Sequence, residues 1–123
     1  MAYEQEGYDL MAAAFEVYNT LGPGFLEDVY QEALELELRS RQIDFESQPQ
    51  LRIVYKGQEL QKRYRPDLYV SDGIVVELKA LKALSKVEAA QILNYLKATG
   101  KPVGYLINFG NPSKLEWKRY VSD

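Results

Sequence analysis

Two apolar segments separated by one helical segment constrain the fold most strongly. Residues 74–80 have the composition of a strand, and residues 103–109 form an apolar run typical of a buried strand. Residues 86–99 between them have helical spacing and end at Gly100-Lys101-Pro102. A strand–helix–strand crossover places its two strands parallel in one sheet through a right-handed connection. The pattern therefore predicts an α/β fold.

The remaining segments surround this unit. Helical spacing of apolar residues predicts a helix over 9–21, capped by Asp9, and a second helix over 25–42 after a break at Gly22-Pro23-Gly24. Alternation predicts a strand over 50–55, followed by a turn at Lys56-Gly57-Gln58, and we expect the next strand over 62–70. A hairpin turn is expected at residues 71–73 and a last short strand over 115–121.

We therefore expect one α/β domain, residues 1–123. Its mixed sheet would combine a three-strand meander with the parallel crossover strand, flanked by helices.

The composition narrows the chemistry. The 123 residues include no cysteine and no histidine, so thiolate sites, imidazole ligands and a histidine base are excluded. Any metal would have to bind to oxygen ligands. The first residues lack a basic leader, and no apolar run is long enough to span a bilayer, so the cytoplasm is the expected location.

Charge is distributed unevenly along the chain, whose net charge is −3. Residues 1–46 carry 11 acidic and 2 basic side chains, whereas residues 47–123 carry 7 acidic and 13 basic ones. Such asymmetry indicates a polyanionic partner. The alternative is that the acidic half consists of two solvated helices.

The strongest chemical pattern is Arg65-Pro66-Asp67, followed by a hairpin and then Glu77-Leu78-Lys79. Alternate residues of a strand share a face, and a hairpin can bring Asp67 beside Glu77 and Lys79. Two carboxylates with a lysine could hold Mg²⁺ or Mn²⁺ and hydrolyse a phosphodiester. The simpler interpretation is a solvated strand face with a cross-strand salt bridge.

Two helices offer supporting residues. Glu27 lies three residues before Tyr30 and seven before Leu34, so it belongs to the apolar stripe of its helix. A carboxylate that faces the core is energetically costly unless a cation compensates its charge. Glu27 could instead lie at the stripe's edge near the helix N-terminus. Gln91 and Tyr95 share a helix face and could orient the lysine or contact a phosphate. The alternative is that Gln91 is an edge residue of the helix and Tyr95 an ordinary core residue.

Several motifs together resemble one family. Residues 24–30, GFLEDVY, resemble the signature of the GxxExxY family, and so do LGPGFLEDVYQEAL, YRPDLYVSDGIVVELKA, QILNYL and GYLINFG in the same order. The resemblance covers about residues 8–120. The GxxExxY family is similar to the PD-(D/E)XK nuclease superfamily, whose core is a helix, a three-stranded meander, a helix and a further strand. The resemblance therefore implies a restriction-endonuclease-like core.

The resemblance implies a role for each motif residue. Asp67, Glu77 and Lys79 would be the catalytic acids and lysine, and Glu27 the helix-borne acid of the metal site. The backbone carbonyl of Leu78 would add a metal ligand. Residues 91–95 resemble the QxxxY motif of the RecB and lambda-exonuclease branch, which gives Gln91 and Tyr95 supporting roles, as the family signature does for Tyr30.

These observations together predict a Mg²⁺- or Mn²⁺-dependent nuclease acting on DNA, with RNA not excluded. A homo-oligomer or a partner protein is expected for longer substrates. The alternatives are a module that binds nucleic acid without cutting it and a structural or protein-interaction domain. Phosphate contacts are expected from the basic residues of the meander and of the segment after the motif, namely Lys56, Lys62, Arg63, Arg65, Lys82 and Lys86.

Overall fold

A mixed five-stranded sheet forms the centre of the computed structural model, which describes residues 2–122. Its strands lie in the order β1 (Phe45–Ser47), β4 (Leu68–Val70), β5 (Ile74–Lys79), β6 (Val103–Asn108) and β7 (Glu116–Val121). β5 and β6 are parallel, as predicted, and the other neighbours are antiparallel. Two further strands, β2 (Leu51–Tyr55) and β3 (Gln58–Tyr64), pair only with each other.

Helices cover both faces of the sheet. α1 (Glu4–Leu21) and α2 (Glu27–Ser40) pack on one face, and α3 (Lys86–Thr99) packs on the other. The side chains of β5 alternate between the two cores: Ile74, Val76 and Leu78 face α1 and α2, whereas Val75 faces α3. Glu77 and Lys79 therefore continue the row that faces α3. The predicted α/β class with a mixed sheet is confirmed.

α3 has the predicted bounds, residues 86–99. Ser85 and Glu88 form a reciprocal capping box at its start, and Gly100 adopts the left-handed conformation just after its end. A β-carbon on Gly104 of β6 would lie only 3.0 Å from the side chains of Ile92 and Leu96. A glycine at this position therefore lets α3 pack closely on the sheet.

The first two helices differ from the prediction at their ends. α1 begins at Glu4, so Asp9 is not its N-cap; it lies inside the helix and accepts a hydrogen bond from Gln5. Acidic side chains in the first turn, which complement the helix dipole, favour the earlier start. α2 spans 27–40 rather than 25–42, because Leu26 is extended before it and Gln42 has a positive φ after it.

The predicted strand over 62–70 is wrong. β3 ends at Tyr64 and β4 begins at Leu68, with a break at Arg65-Pro66-Asp67, where Pro66 has no amide hydrogen to donate to a sheet. β1, β4 and β5 form the antiparallel meander that precedes the crossover, and the β2–β3 hairpin is inserted between the first two of these strands. β1, only three residues long, was not predicted.

The tight turn at 71–73 is confirmed, with Ser71 and Asp72 both in the left-handed region, and so is the last strand at the sheet edge. Within residues 2–122, no helix combines the length and apolarity that a bilayer span requires.

Candidate active site

Asp67 and Glu77 lie side by side at the point where the chain enters β4 and leaves β5. The backbone amide of Leu78 donates a 2.6 Å hydrogen bond to Asp67 Oδ2, and the amide of Asp67 donates a 3.2 Å bond to Glu77 Oε1. Each carboxylate is thus held by the backbone next to the other. The hairpin brings the two acids together as the sequence predicts.

The surroundings of this pair disfavour two negative charges. Burial, and next the negative charge of Asp67, raise the pKa of Glu77 to about 7. Burial also raises the pKa of Asp67, and Glu27 adds to the increase, although the hydrogen bond from the Leu78 amide opposes it. Ionising both carboxylates is therefore unfavourable in the free protein, and a bound cation would stabilise the ionised pair.

Lys79 lies near both acids without pairing to either. Its positive charge opposes the raised pKa values of Asp67 and Glu77, which places it in the same site. Across residues 2–122, neither acid takes part in an ion pair, and neither does Lys79. The interpretation of Glu77 and Lys79 as a cross-strand salt bridge is therefore wrong.

Glu27 is at the rim of the site rather than in its centre. It is the first residue of α2 and is exposed, so it does not face the core. One turn later, Gln31 fastens α2 to the site, because its amide donates a 2.9 Å hydrogen bond to the carbonyl of Asp67. This anchor keeps Glu27 close enough to influence Asp67.

Tyr30 has a structural position under the loop that precedes Glu27. Its ring is fully buried and stacks on Phe109, with ring centroids 4.7 Å apart. Its hydroxyl donates to the carbonyl of Gly22 at 2.6 Å and accepts from the amide of Phe25 at 3.2 Å. Tyr30 therefore fixes the start of α2 and, through it, the position of Glu27.

Tyr64 belongs to the site, although the sequence did not indicate it. It is the one buried residue of β3, and its hydroxyl is enclosed next to Glu77 without a hydrogen bond of good geometry. Burial, and then the charge of Glu77, raise the pKa of Tyr64 far above its usual range. Its ring stacks on the ring of Tyr95, with the ring centroids 4.0 Å apart. Tyr95 covers Tyr64 and is itself partly exposed, so it is not a core residue.

Gln91, one turn before Tyr95, is exposed, whereas Ile92 and Leu96 form the buried stripe of α3. The face that the sequence assigned to Gln91 and Tyr95 therefore borders the site instead of facing the core.

The donor set fits a hard divalent cation. Mg²⁺ keeps several water ligands and is usually bound through one or two carboxylates. Asp67 and Glu77 supply two carboxylates that form no ion pair with any residue of the described range 2–122. Within residues 2–122, no three acidic side chains approach closely enough to form a complete protein cage. Glu27 and the carbonyl of Leu78 remain predicted ligands, as the sequence analysis proposed.

A comparison with protein families matches residues 4–120 to the PD-(D/E)XK nuclease superfamily. The chain belongs to the PD-(D/E)XK nuclease superfamily. The letters of the superfamily's name correspond to Pro66-Asp67 and to Glu77-Leu78-Lys79, the segments that form the paired carboxylates and the lysine.

Among solved structures, the crystal structure of SSO0001 has the same fold, with a TM-score of 0.61 at 20% sequence identity. The match covers 98% of this chain and 59% of that one, so this nuclease-superfamily chain spans about three fifths of its neighbour's length. No curated protein matches the sequence significantly.

The basic residues predicted to contact phosphate lie in two exposed groups. Lys56, Lys62 and Arg63 are on the β2–β3 hairpin and Arg65 directly follows it, whereas Lys82 and Lys86 are in the loop after β5 and at the start of α3. The two groups lie on either side of the carboxylate pair along the chain.

The loop that bears Lys82 is held by Asn108, a second residue that the sequence did not single out. Asn108 is fully buried at the end of β6, opposite Lys79. Its side chain exchanges two 2.8 Å hydrogen bonds with the amide and carbonyl of Leu81. The chain is therefore fixed immediately after the Glu77-Leu78-Lys79 segment. An asparagine at the end of an apolar strand is the sequence signal for this role.

Proposed function

We propose that this protein is a divalent-metal-dependent nuclease that hydrolyses phosphodiester bonds of DNA. One observation carries the proposal: Asp67 and Glu77 are two largely buried carboxylates, held together by backbone amides, and within residues 2–122 neither has an ion-pair partner. A structural pair would require a countercharge from the protein, because buried charges are costly when unpaired. A bound divalent cation would supply the positive charge that this pair of carboxylates requires.

The residues would divide the work as follows. Asp67 and Glu77 would hold Mg²⁺ or Mn²⁺, with Glu27 reaching it from the rim. Bound there, the cation would lower the pKa of a water and neutralise phosphate charge. Lys79 would orient the attacking water and stabilise the charge that develops on the phosphate. Tyr64 and Tyr95 would shield the outer side of Glu77 from solvent.

Within the superfamily, we propose that the chain belongs to the GxxExxY group. The three residues of that signature have separate physical roles here. Gly24 has a φ of 112°, a backbone conformation that disfavours residues other than glycine. The hydroxyl of Tyr30 forms hydrogen bonds with Gly22 and Phe25, the residues on either side of the Pro23-Gly24 turn. Glu27 starts α2 at the rim of the site. We also propose that residues 1–123 act as one nuclease domain, located in the cytoplasm.

The test is a cleavage screen with end-labelled DNA and RNA substrates, both single-stranded and duplex, in Mg²⁺, Mn²⁺ or EDTA. The parent should cut DNA only with a metal. E77A should not cut, and E32A, which removes an exposed acid from α2, should cut like the parent. DNA binding without cleavage in any metal would instead support the non-catalytic binding module. Absence of both would support a structural role.

A further inference from the structure

The β2–β3 hairpin, residues 51–64, is an arm anchored at one end only. At its base, Leu51 and Ile53 pack against the core beneath α3, and Tyr64 stacks on Tyr95. From Val54 to Arg63, every residue is exposed. A strand of seven residues is about 23 Å long. The arm therefore extends beyond the core as a two-stranded ribbon with both faces in solvent.

The tip of the arm is narrow. Lys56 and Gly57 have φ values of 48° and 78°, and they connect the strands through a two-residue turn typical of tight hairpins. Above the base, the register shifts between Arg52 and Val54, and such irregularities increase the twist of a ribbon. The arm is thus slender and twisted, without a loop at its end that would widen it.

The arm is also basic, and part of its charge has no partner. Glu59 is its one acidic residue and forms ion pairs with Arg63 at 2.7 Å and Arg52 at 3.4 Å. No carboxylate among residues 2–122 pairs with Lys56 or Lys62, or with Arg65 just after the arm. Three cations therefore remain available for an anionic ligand at and below the tip.

The arm leads directly into the active site. Its last residue, Tyr64, lies beside Glu77, and the chain reaches Asp67 three residues later. A ligand that the arm holds is therefore brought to the carboxylate pair. For a polymeric substrate, such a continuous path sets both the position and the direction of approach.

We propose that the arm enters the major groove of B-form DNA and holds the duplex against Asp67 and Glu77. The B-form major groove is about 12 Å wide and admits a two-stranded ribbon, with phosphates on both sides for the three free cations. The A-form major groove of duplex RNA is too narrow for side chains to enter. The inference rests on the proposed function and adds to it a substrate class, namely duplex DNA.

The experiment compares two triple variants with equal charge. K56A/K62A/R65A removes the free cations of the arm, and K97A/K114A/K118A removes three exposed lysines elsewhere. Binding is measured by fluorescence anisotropy in EDTA, over a range of salt, with a 20-base-pair DNA duplex, an RNA duplex of the same sequence and single-stranded DNA. K56R/K62R/R65K tests whether charge alone is required.

The parent should bind duplex DNA more tightly than either other probe. In the arm variant, the log–log salt slope should become shallower by about 2.7, which corresponds to three lost phosphate contacts. The lysine control should change it by less than one contact, and the charge-preserving variant should bind like the parent. Equal losses in both alanine variants would overturn the proposal, and so would RNA or single strands binding as tightly as duplex DNA.

Mn²⁺ titration of the same variants separates this proposal from the proposed function. The arm variant should bind Mn²⁺ as the parent does, because none of its changes removes a carboxylate. If the parent binds duplex DNA through the arm but does not bind Mn²⁺, the nuclease assignment is wrong and the proposed role of the arm in DNA binding is supported. If Mn²⁺ binding and cleavage persist without any contribution from the arm, the arm proposal fails and the nuclease stands.

Discussion

Glu77 has surroundings that favour its neutral form, and this makes the metal-free protein sensitive to pH. Its pKa in the folded state is about 7, compared with an ordinary value of 4.5. The stability that protonated Glu77 contributes is therefore present below pH 4.5 and is lost as the pH rises through about 7. The loss is on the order of 3 kcal/mol.

Substituting Glu77 with glutamine should remove this dependence, because glutamine stays neutral. In EDTA, the melting temperature of the parent should fall between pH 5 and pH 8 by more than that of E77Q, and E77Q should be the more stable protein at pH 8. E32Q, an exposed control on α2, should follow the parent. Parallel melting curves for the parent and E77Q would show that Glu77 does not titrate in this range.

At the scale of secondary structure, Asn108 connects β6 to the loop after β5. Asn108→Ala would leave the amide and carbonyl of Leu81 and the amide of Gly110 without their partner. Buried polar groups without partners cost about 1–3 kcal/mol. We expect urea denaturation to show a loss of this size in N108A, and a change within about 0.5 kcal/mol in N19A, an exposed control on α1. An N108A protein as stable as N19A would contradict this role.

Elements whose signals are local could be predicted from the sequence. α3 was predicted with its observed bounds because its helical spacing lies within the segment itself and the stop at Gly100-Lys101-Pro102 directly follows it. β1 could not be predicted, because its three residues form a strand only by pairing with β4, which lies more than twenty residues later in the chain. The prediction of one continuous strand over 62–70 also missed the break at Pro66.

The same distinction applies to the site. Asp67, Glu77 and Lys79 were predictable because a hairpin and the two-residue period of a strand bring them together. Tyr64 was not, because its burial depends on Tyr95, which lies on a helix distant in sequence. The sequence left Glu27 either on the apolar stripe or at its edge near the helix N-terminus. The structure has the second arrangement, because the extended Leu26 makes Glu27 the exposed first residue of α2.

At the scale of the whole molecule, size limits what one copy can cut. A chain of 123 residues has a radius of gyration of about 14 Å when folded, which covers a short stretch of duplex. Cutting both strands together would need a symmetric dimer or a partner. We therefore expect either a homo-oligomer or nicking activity, measured by light scattering and by the conversion of supercoiled plasmid. A monomer that linearises plasmid cleanly at low concentration would contradict this expectation.

The central claim is that Asp67 and Glu77 form a metal site and that Lys79 acts beside it. It is tested most directly by calorimetric titration of Mn²⁺ into the parent, E77A and K79A. The parent should show saturable binding, and E77A should lose it because a ligand is gone. K79A should bind at least as tightly as the parent, because a nearby positive charge has been removed. Equal Mn²⁺ affinity in all three proteins, or no binding by the parent, would contradict the assignment of this site.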